Sequence, residues 1–538
     1  MSRTRWLVLS LAACAALPAT ASAKGFSAGV ASAEVSTNSA VLWTRADKPG
    51  RVTLEVSRNL RFRGPLVSRR LRATKRTDNT VQVKLRGLRP GARYHFRFRR
   101  KGVGKERGSF RTAPRPSSRR PVTFAWSGDS DPVKQPGTNR LVNAPFAVFT
   151  RMRREGNDFN VNLGDTIYSD SDSSFDRSDP LAISVAQKRT KYRDMLSAPS
   201  LRRLRASAGM YNHWDDHEFL NDFAIDQTQY PTRQGTAEGQ PPRIVTVDGR
   251  KLYRDGVKAF REYMPVTYSK ANGIYRSVRW GRNLELFFLD ERSFRDAGAD
   301  DAGVCDNPAG SGQRDFAPTA PQRLRTVFAA LIPHLATPPP PACVARINDP
   351  NRAYLGARQL ARFTRAIERS SATFKVVMNE LPIQQFYADP YDRWEGYAAE
   401  RLKVIEFLRT KVRNVVFLTA DVHANLVNDV RLRTLEDPGP LDSGILEVTT
   451  GPSGTDTLED DLNDAVGNPQ AGDLANNAFL RAPPPNGPGI QCSNIDVFSY
   501  GQVQVTSTRL TIALRDANGR TVKDPDGKDC GPYVLARR

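Results

Sequence analysis

The sequence predicts a small all-β domain followed by a large α/β domain, and three observations carry this. At 538 residues the chain is too long for one ordinary core. Residues 25–114 alternate polar and apolar positions at period two between Gly and Pro turns. Beyond Pro121, apolar runs alternate with helical segments, and several of those runs end in an acid. Hydrophobic content of 39% with 9% aromatics excludes a disordered chain.

The first 23 residues stand apart. Arg3 and Arg5 lead into the apolar run Trp6–Leu17, Pro18 breaks it, and Ala21-Ser22-Ala23 closes it. This is the pattern of a signal peptide cleaved after Ala23, and the run is too short to span a membrane. The mature protein is therefore expected to be soluble and secreted, or held in the periplasm or cell envelope, with no transmembrane helix. Leu11-Ala12-Ala13-Cys14 is a weak lipoprotein-box look-alike behind an unusually short apolar segment.

Within 25–114 the expected strands are Ala40–Ala46, Arg51–Ser57, Thr80–Leu88, Arg93–Arg100 and Arg107–Ala113, which together suit an antiparallel sandwich. "LRPGARYHFRF" resembles the fibronectin type III signature, with Tyr94 as the corner tyrosine, and His95 reads as a strand-face residue. Residues 115–121 are a linker by composition, and 122–538 form the second domain. Helices are expected near Val185–Arg205, Tyr253–Met264, Ala357–Ser371 and Tyr397–Lys411. Thr455–Gly489 reads as a surface excursion with solvated acids.

Removal of residues 1–23 leaves Cys305, Cys343, Cys492 and Cys530, an even count that favours two disulfides outside the cell. Three pairings are possible. Cys305–Cys343 with Cys492–Cys530 is preferred, because each pair brackets a Pro- and Gly-rich loop. The formal charge is +23, with the basic residues spread along the chain rather than gathered in one arm. No dedicated nucleic-acid-binding motif is present. An anionic wall polymer, an anionic lipid surface or a phosphate-bearing substrate would suit this charge, as would a generally basic solvated surface.

The chemistry lies in four acid-bearing blocks. Asp129 and Asp131 follow one apolar run, and Gly164-Asp165-x-x-Tyr168 follows the next. "YNHWDDHEFLND" (Tyr211–Asp222) contains Asp216-His217-Glu218, and Asp421-x-His423 follows a late run. Carboxylates, imidazoles and a phenol at strand ends suit hard or borderline cations, and a bridging carboxylate holds two of them about 3.5–4 Å apart.

The order of these blocks resembles the calcineurin-like metallophosphoesterase superfamily, and more closely the PhoD family of alkaline phosphatases and phosphodiesterases. The residues that carry the resemblance are "GDTIY" (Gly164–Tyr168), "WDDHEFLND" (Trp214–Asp222), "LDERSFR" (Leu289–Arg295), "YLGARQL" (Tyr354–Leu360), "WEGYAAER" (Trp394–Arg401) and "ADVH" (Ala420–His423). The resemblance implies a four-layer αββα metallophosphoesterase domain behind a fibronectin-like sandwich. It implies a PhoD-like metallophosphatase in which a metal-bound hydroxide attacks a phosphomonoester or phosphodiester. A phospholipase D-type phosphodiesterase sits on the same scaffold, and a cell-surface binding protein with a structural metal site is the alternative of another class.

Carried over residue by residue, Asp165 resembles the bridging ligand and Tyr168 the phenolate that binds ferric iron in related purple acid phosphatases. Asp216 takes the place of a ligand of the second cation, Asp421 and His423 fill the late ligand positions, and His217 resembles the histidine acting on the leaving oxygen. Asn221 and Glu218 are auxiliary or supporting. Asp290 and Arg292 read as a structural ion pair beneath the site, or Arg292 reaches a phosphate oxygen. Two or more metal ions are implied, iron and calcium by resemblance, while manganese or zinc would suit the same donors.

Departures are few. Many relatives have Ser-Cys where this chain has Ser127-Gly128-Asp129, so Asp129 substitutes for a thiolate, with Asp131 beside it. Ala420 replaces a usual Gly, and Arg3-Thr4-Arg5 lacks the consecutive arginines typical of PhoD export. His213 and Glu380 read as supporting residues, and Trp394, Tyr397 and Arg401 as packing. The acids of Asp170–Asp179 read as a solvated loop, with an extra calcium as the other reading.

Overall fold

The computed structural model describes residues 25–131, 146–171, 181–232, 243–308 and 313–538. The expected signal peptide, its cleavage point and Cys14 lie outside the described residues, as does Asp170–Asp179 beyond Ser171.

Two large sheets face each other. One has nine strands, and its centre is the parallel trio Val122–Ser127, Phe159–Leu163 and Gly209–His213. The other has seven, and its centre is the parallel set Leu284–Phe288, Phe374–Met378, Val415–Thr419 and Leu441–Thr449. Phe159–Leu163, Gly209–His213, Phe374–Met378 and Val415–Thr419 are buried along their whole length and Val122–Ser127 at all but Thr123, which is why these strands lack a polar–apolar alternation. Phe124, Trp126 and Val161 of one sheet share a core with Leu286, Val376 and Leu418 of the other. Trp126 Nε1 donates to the Thr419 carbonyl at 3.0 Å and pins the two sheets together.

The opposite faces are covered by helices. Phe149, Tyr192, Leu204 and Phe260 belong to a second cluster with Ala125 and Met210. Phe363, Ile367, Val404 and Leu408 belong to a third with Phe287, Val377 and Phe417. The helix expected over Val185–Arg205 is two, Val185–Met195 and Pro199–Ser207, because Pro199 cannot continue a helix and instead begins the next one. The other three expected helices are Gly249–Tyr263, Ala357–Glu368 and Ala398–Lys411.

Residues 30–111 contain the five expected strands and two more, Val30–Ala33 and Val67–Ala73. Val67–Ala73, Gly50–Ser57, Arg93–Arg100 and Gly104–Arg111 form a sheet of their own. Val30–Ala33, Ala40–Arg45 and Thr80–Leu85 instead extend the nine-stranded sheet, through Ser32 opposite Gly209. The hydrogen-bond ladder thus crosses the boundary expected near residue 114. Buried Tyr94 accepts the Arg89 N–H at 2.8 Å, the backward bond of a corner tyrosine. The linker is tied down as well: Arg282 N–H donates to the Ser118 carbonyl at 2.7 Å.

The expected disulfide pairing is present, Cys305–Cys343 and Cys492–Cys530, each spanning 38 residues. Closing loops of that length contributes about 4 kcal/mol each in the chain-entropy account. Among the described residues no helix is long and apolar enough to cross a membrane.

Candidate metal centre

Both sets of parallel strands end at the same place. Ser453 N–H donates to the Asp129 carbonyl at 3.0 Å and Ser453 Oγ to the Gly128 carbonyl at 2.7 Å, joining a loop of the second sheet to the first. The chain turns sharply at each strand end. Asp129, Asp165, Asp421 and His423 have φ of 57°, 47°, 68° and 51°, a left-handed conformation that costs a non-glycine residue energy and clusters at functional sites. Gly164 precedes Asp165 for a steric reason, since a Cβ there would lie 2.5 Å from the Asp215 Cβ. Gly128 and Ala420, two of the positions that depart from the expected motifs, meet in space: a Cβ on Gly128 would come within 2.9 Å of the Ala420 Cβ. Glycine at one position makes room for alanine at the other.

Among the described residues four groups of potential ligand atoms form here, the atoms of each within 4.8 Å of one another: Asp129, Asp165 and His423; Asp165, Asp216 and His217; Asp215, Asp216 and Asp421; and Asp216, Asp222 and Asp392. Asp165 belongs to two of these groups and Asp216 to three, so the groups join into one centre. The Tyr168 hydroxyl lies 3.0 Å from His423 Nε2 and joins the first group, while its ring stacks on His217 with centroids 4.1 Å apart. Asp131 is buried beside them.

The neighbours fix these groups in place. His217 Nδ1 lies 2.6 Å from Asp170 Oδ1, and Asp170 Oδ2 accepts the Asn221 N–H at 3.1 Å. Glu218 does not extend into the centre. It accepts the N–H groups of Asp165, Thr166 and Asp215 at 2.8–3.0 Å and ties two strand-end loops together. Asp290 is occupied too, accepting from Trp214 Nε1, Ile274 N, Ser293 N and Ser293 Oγ at 2.7–3.2 Å.

The expected Asp290–Arg292 ion pair is not formed. Fully buried Arg292 pairs with Asp392 (2.8 Å to both oxygens) and Asp215 (Nε to Oδ1, 2.5 Å), because the Asp290 oxygens are already taken. Glu380 lies 2.7 Å from His213 Nδ1, and both are fully buried. Burial, with help from Arg276, brings the His213 imidazole down to about 3, so it is neutral at ordinary pH.

The Thr455–Gly489 segment also differs from expectation. Thr457 and Asp460 form a capping box that starts the helix Leu458–Val466, and this helix places Asp461 Oδ2 3.3 Å from His423 Nδ1. Asp170, Asp215, Asp392 and Asp461 were missed as site residues. Asp170 is visible in "GDTIYSD" just after Tyr168, and Asp392 lies two residues before Trp394. Asp461 had no signal of its own.

The electrostatics call for cations. Burial, then the Asp216 and Asp215 charges, push Asp165 well above the usual carboxylate range, and burial with Asp215 and Asp216 does the same to Asp421. Burial raises Asp129 to about 6, even though His423 opposes it, and Asp129 Oδ2 is buried with no hydrogen-bond partner. Burial and nearby acids push Tyr168 up as well. Burial opposes protonation of His217, but Asp170 and Asp216 outweigh it and raise the imidazole to about 10. Oxygen and imidazole donors with an orphaned, desolvated carboxylate oxygen fit bound metal.

A pH prediction follows. Burial raises Asp129 to about 6, Glu218 to about 7 and Asp222 to about 8. A folded-state pKa above the unfolded one stabilises the fold at low pH, and that stability is lost as pH rises through the folded value. Metal-stripped protein should therefore lose thermal stability progressively as pH rises from about 4, the unfolded carboxyl value, to about 8, and added divalent metal should flatten the curve. Melting scans with and without chelator measure this, and parallel curves would contradict it.

The sequence profile of the PhoD-like phosphatase matches residues 137–514. The chain belongs to the PhoD-like phosphatase family. The profile of the PhoD-like phosphatase N-terminal domain matches residues 12–114. Alkaline phosphatase D of Bacillus subtilis (strain 168) is 25% identical over 440 residues, 76% of this chain and 66% of that protein, so the match spans just under two-thirds of the relative's length. The solved structure of PhoD is similar across 97% of this chain and 90% of its own, with TM-score 0.67 and 21% identity. The purple acid phosphatase PPD1 from yellow lupin (Lupinus luteus) seeds is similar across 95% of this chain and 74% of its own, with TM-score 0.53 and 10% identity. These two share the mixed α/β fold.

Proposed function

We propose that this chain is an exported, metal-dependent phosphoric ester hydrolase of the PhoD-like alkaline phosphatase type. The observation that carries the reading is the joining of four ligand groups through Asp165 and Asp216 at the meeting point of both sheets' strand ends. Asp129, Asp165, Tyr168 and His423 would hold one cation, and Asp165, Asp216 and Asp421 another. Iron and calcium are the metals expected from the family, and manganese or zinc suits the same donors. Bound cations lower the pKa of water and neutralise phosphoryl oxygens.

The chain's own residues do the rest. Asp170 holds His217 Nδ1, which fixes the ring and turns Nε2 toward the substrate. A protonated His217 donates to the departing oxygen as its bond to phosphorus breaks. Asp461 orients His423 from the far side. We assign residues 25–114 to a fibronectin-like sandwich merged at one edge with a helix–sheet–sheet–helix domain. Export after cleavage at Ala23 agrees with the two disulfides.

The test is elemental analysis and a visible spectrum of protein from its native compartment, with turnover of chromogenic phosphomonoesters and phosphodiesters. Bound metal with turnover is expected, and a tyrosinate-to-iron band would assign iron to Tyr168. Protein without metal or turnover would favour the surface-binding reading.

A further inference from the structure

The basic residues that look scattered along the sequence are gathered by strand register. In the separate four-stranded sheet, Val52, Leu54, Val56, Phe96 and Phe98 point into the core. The alternate positions point outward, with Arg51 opposite Arg72, Thr53 opposite Arg70 and Arg99, and Arg97 opposite Arg107. Arg51, Arg70, Arg72, Arg99, Lys105 and Arg107 are exposed on this face. Its acid is Glu55, already paired with Arg97 and Arg99. A hollow of about 480 Å³ lined by Gly50, Arg51, Arg70, Leu71 and Arg72 indents the pair Gly50–Ser57 and Val67–Ala73.

The loop after Ser57 adds an apolar element. Phe62 is buried beneath the guanidinium groups of Arg97 (4.4 Å) and Arg107 (5.9 Å), so the loop is anchored to the same outward face. On either side of this anchor, Leu60 and Leu66 are 66% and 60% exposed. Arg58, Arg61 and Arg63 lie between and beside them, all exposed.

We infer that this face docks on an anionic lipid bilayer. Arginines and a lysine on one plane match a layer of phosphate headgroups, each strengthening binding about fivefold near such a surface. The two leucines discriminate among polyanions, because a soluble phosphate polymer has no apolar phase for them, whereas the headgroup–acyl boundary does. This inference stands apart from the catalytic reading, since none of these residues touches the metal centre.

The experiment is co-sedimentation of the full chain with vesicles of phosphatidylglycerol and phosphatidylcholine in equal parts, and of phosphatidylcholine alone. Binding to the anionic vesicles alone is expected, and it should weaken as salt rises. Arg70→Glu, Arg72→Glu and Arg107→Glu together should weaken it on the order of a hundredfold. Leu60→Ser with Leu66→Ser should weaken vesicle binding about tenfold and leave binding to soluble polyphosphate unchanged. Turnover of a small chromogenic ester by these surface variants should equal that of the parent. Absence of binding to anionic vesicles, or unchanged binding by the charge-reversal variant, would overturn the inference. So would serine variants that bind vesicles as well as the parent, which would reassign the face to a soluble polyanion.

Discussion

Asp165→Asn is expected to lose metal and to lower kcat/KM on a phosphoester by on the order of 10³-fold, the kinetic equivalent of several kcal/mol of lost charge stabilisation. The substitution is chosen to keep everything but the charge. Asparagine tolerates the left-handed backbone at φ 47° nearly as well as aspartate, and the residue's own N–H still donates to Glu218. It also retains an oxygen to accept the His217 N–H, now 3.3 Å from Oδ1. What it removes is the one carboxylate common to the Asp129–His423 group and the Asp216–His217 group.

Stability should move in the opposite direction. Burial and the charges of Asp216, Asp215 and Glu218 oppose ionisation of Asp165, so an amide relieves repulsion once metal has been stripped. Metal-free Asp165→Asn should therefore melt above the metal-free parent at pH 8, while the metal-loaded parent melts above both. Metal content, turnover and melting scans on one preparation read all three. Unchanged metal content and activity would remove Asp165 from the centre.

The centre was legible because the short, largely apolar strands Phe159–Leu163 and Val415–Thr419 each give way at once to a turn that carries a carboxylate. Asp165 and Asp421 stand in such turns, and the sequence alone marks both. Asp170 reads in the sequence as part of a solvated loop, since nothing local shows that the loop folds back on His217. Arg292 went to the wrong partner for a related reason. Asp290 is two residues away and was the obvious choice, yet its oxygens are taken by Trp214, Ile274 and Ser293, and Arg292 turns to Asp215 and Asp392 instead. Contacts between residues 77 and 100 positions apart exist only after both sheets have assembled.

The N-terminal region shows the same limit. Period-two alternation identified its strands, but Val30–Ala33 is fully buried and has no alternation to read. The face on which the arginines converge depends on which strands pair, and in what register. A charge count along the chain contains neither.

Arg292 carries the second large effect. Arg292→Met should destabilise the metal-free protein by about 3–5 kcal/mol, the usual consequence of removing one partner from a buried charge network. The side chain is fully buried, bonded to Asp392 and Asp215, and its Nη2 lies 3.6 Å from Asp421 and 3.7 Å from Asp216. Without it these carboxylates face one another with Arg295 as the remaining near cation, paired to Asp392. Methionine fills much of the volume, so the loss reports charge rather than a cavity. Adding Asp215→Asn should restore more than half of the lost stability, because the carboxylate left behind is the source of the penalty. Arg292→Lys should fall between parent and Met, since an ammonium cannot serve both carboxylates as a planar fork. Denaturation midpoints of the four proteins settle the role. A Met variant as stable as the parent, with kcat/KM reduced and KM raised, would instead place Arg292 on the substrate phosphate.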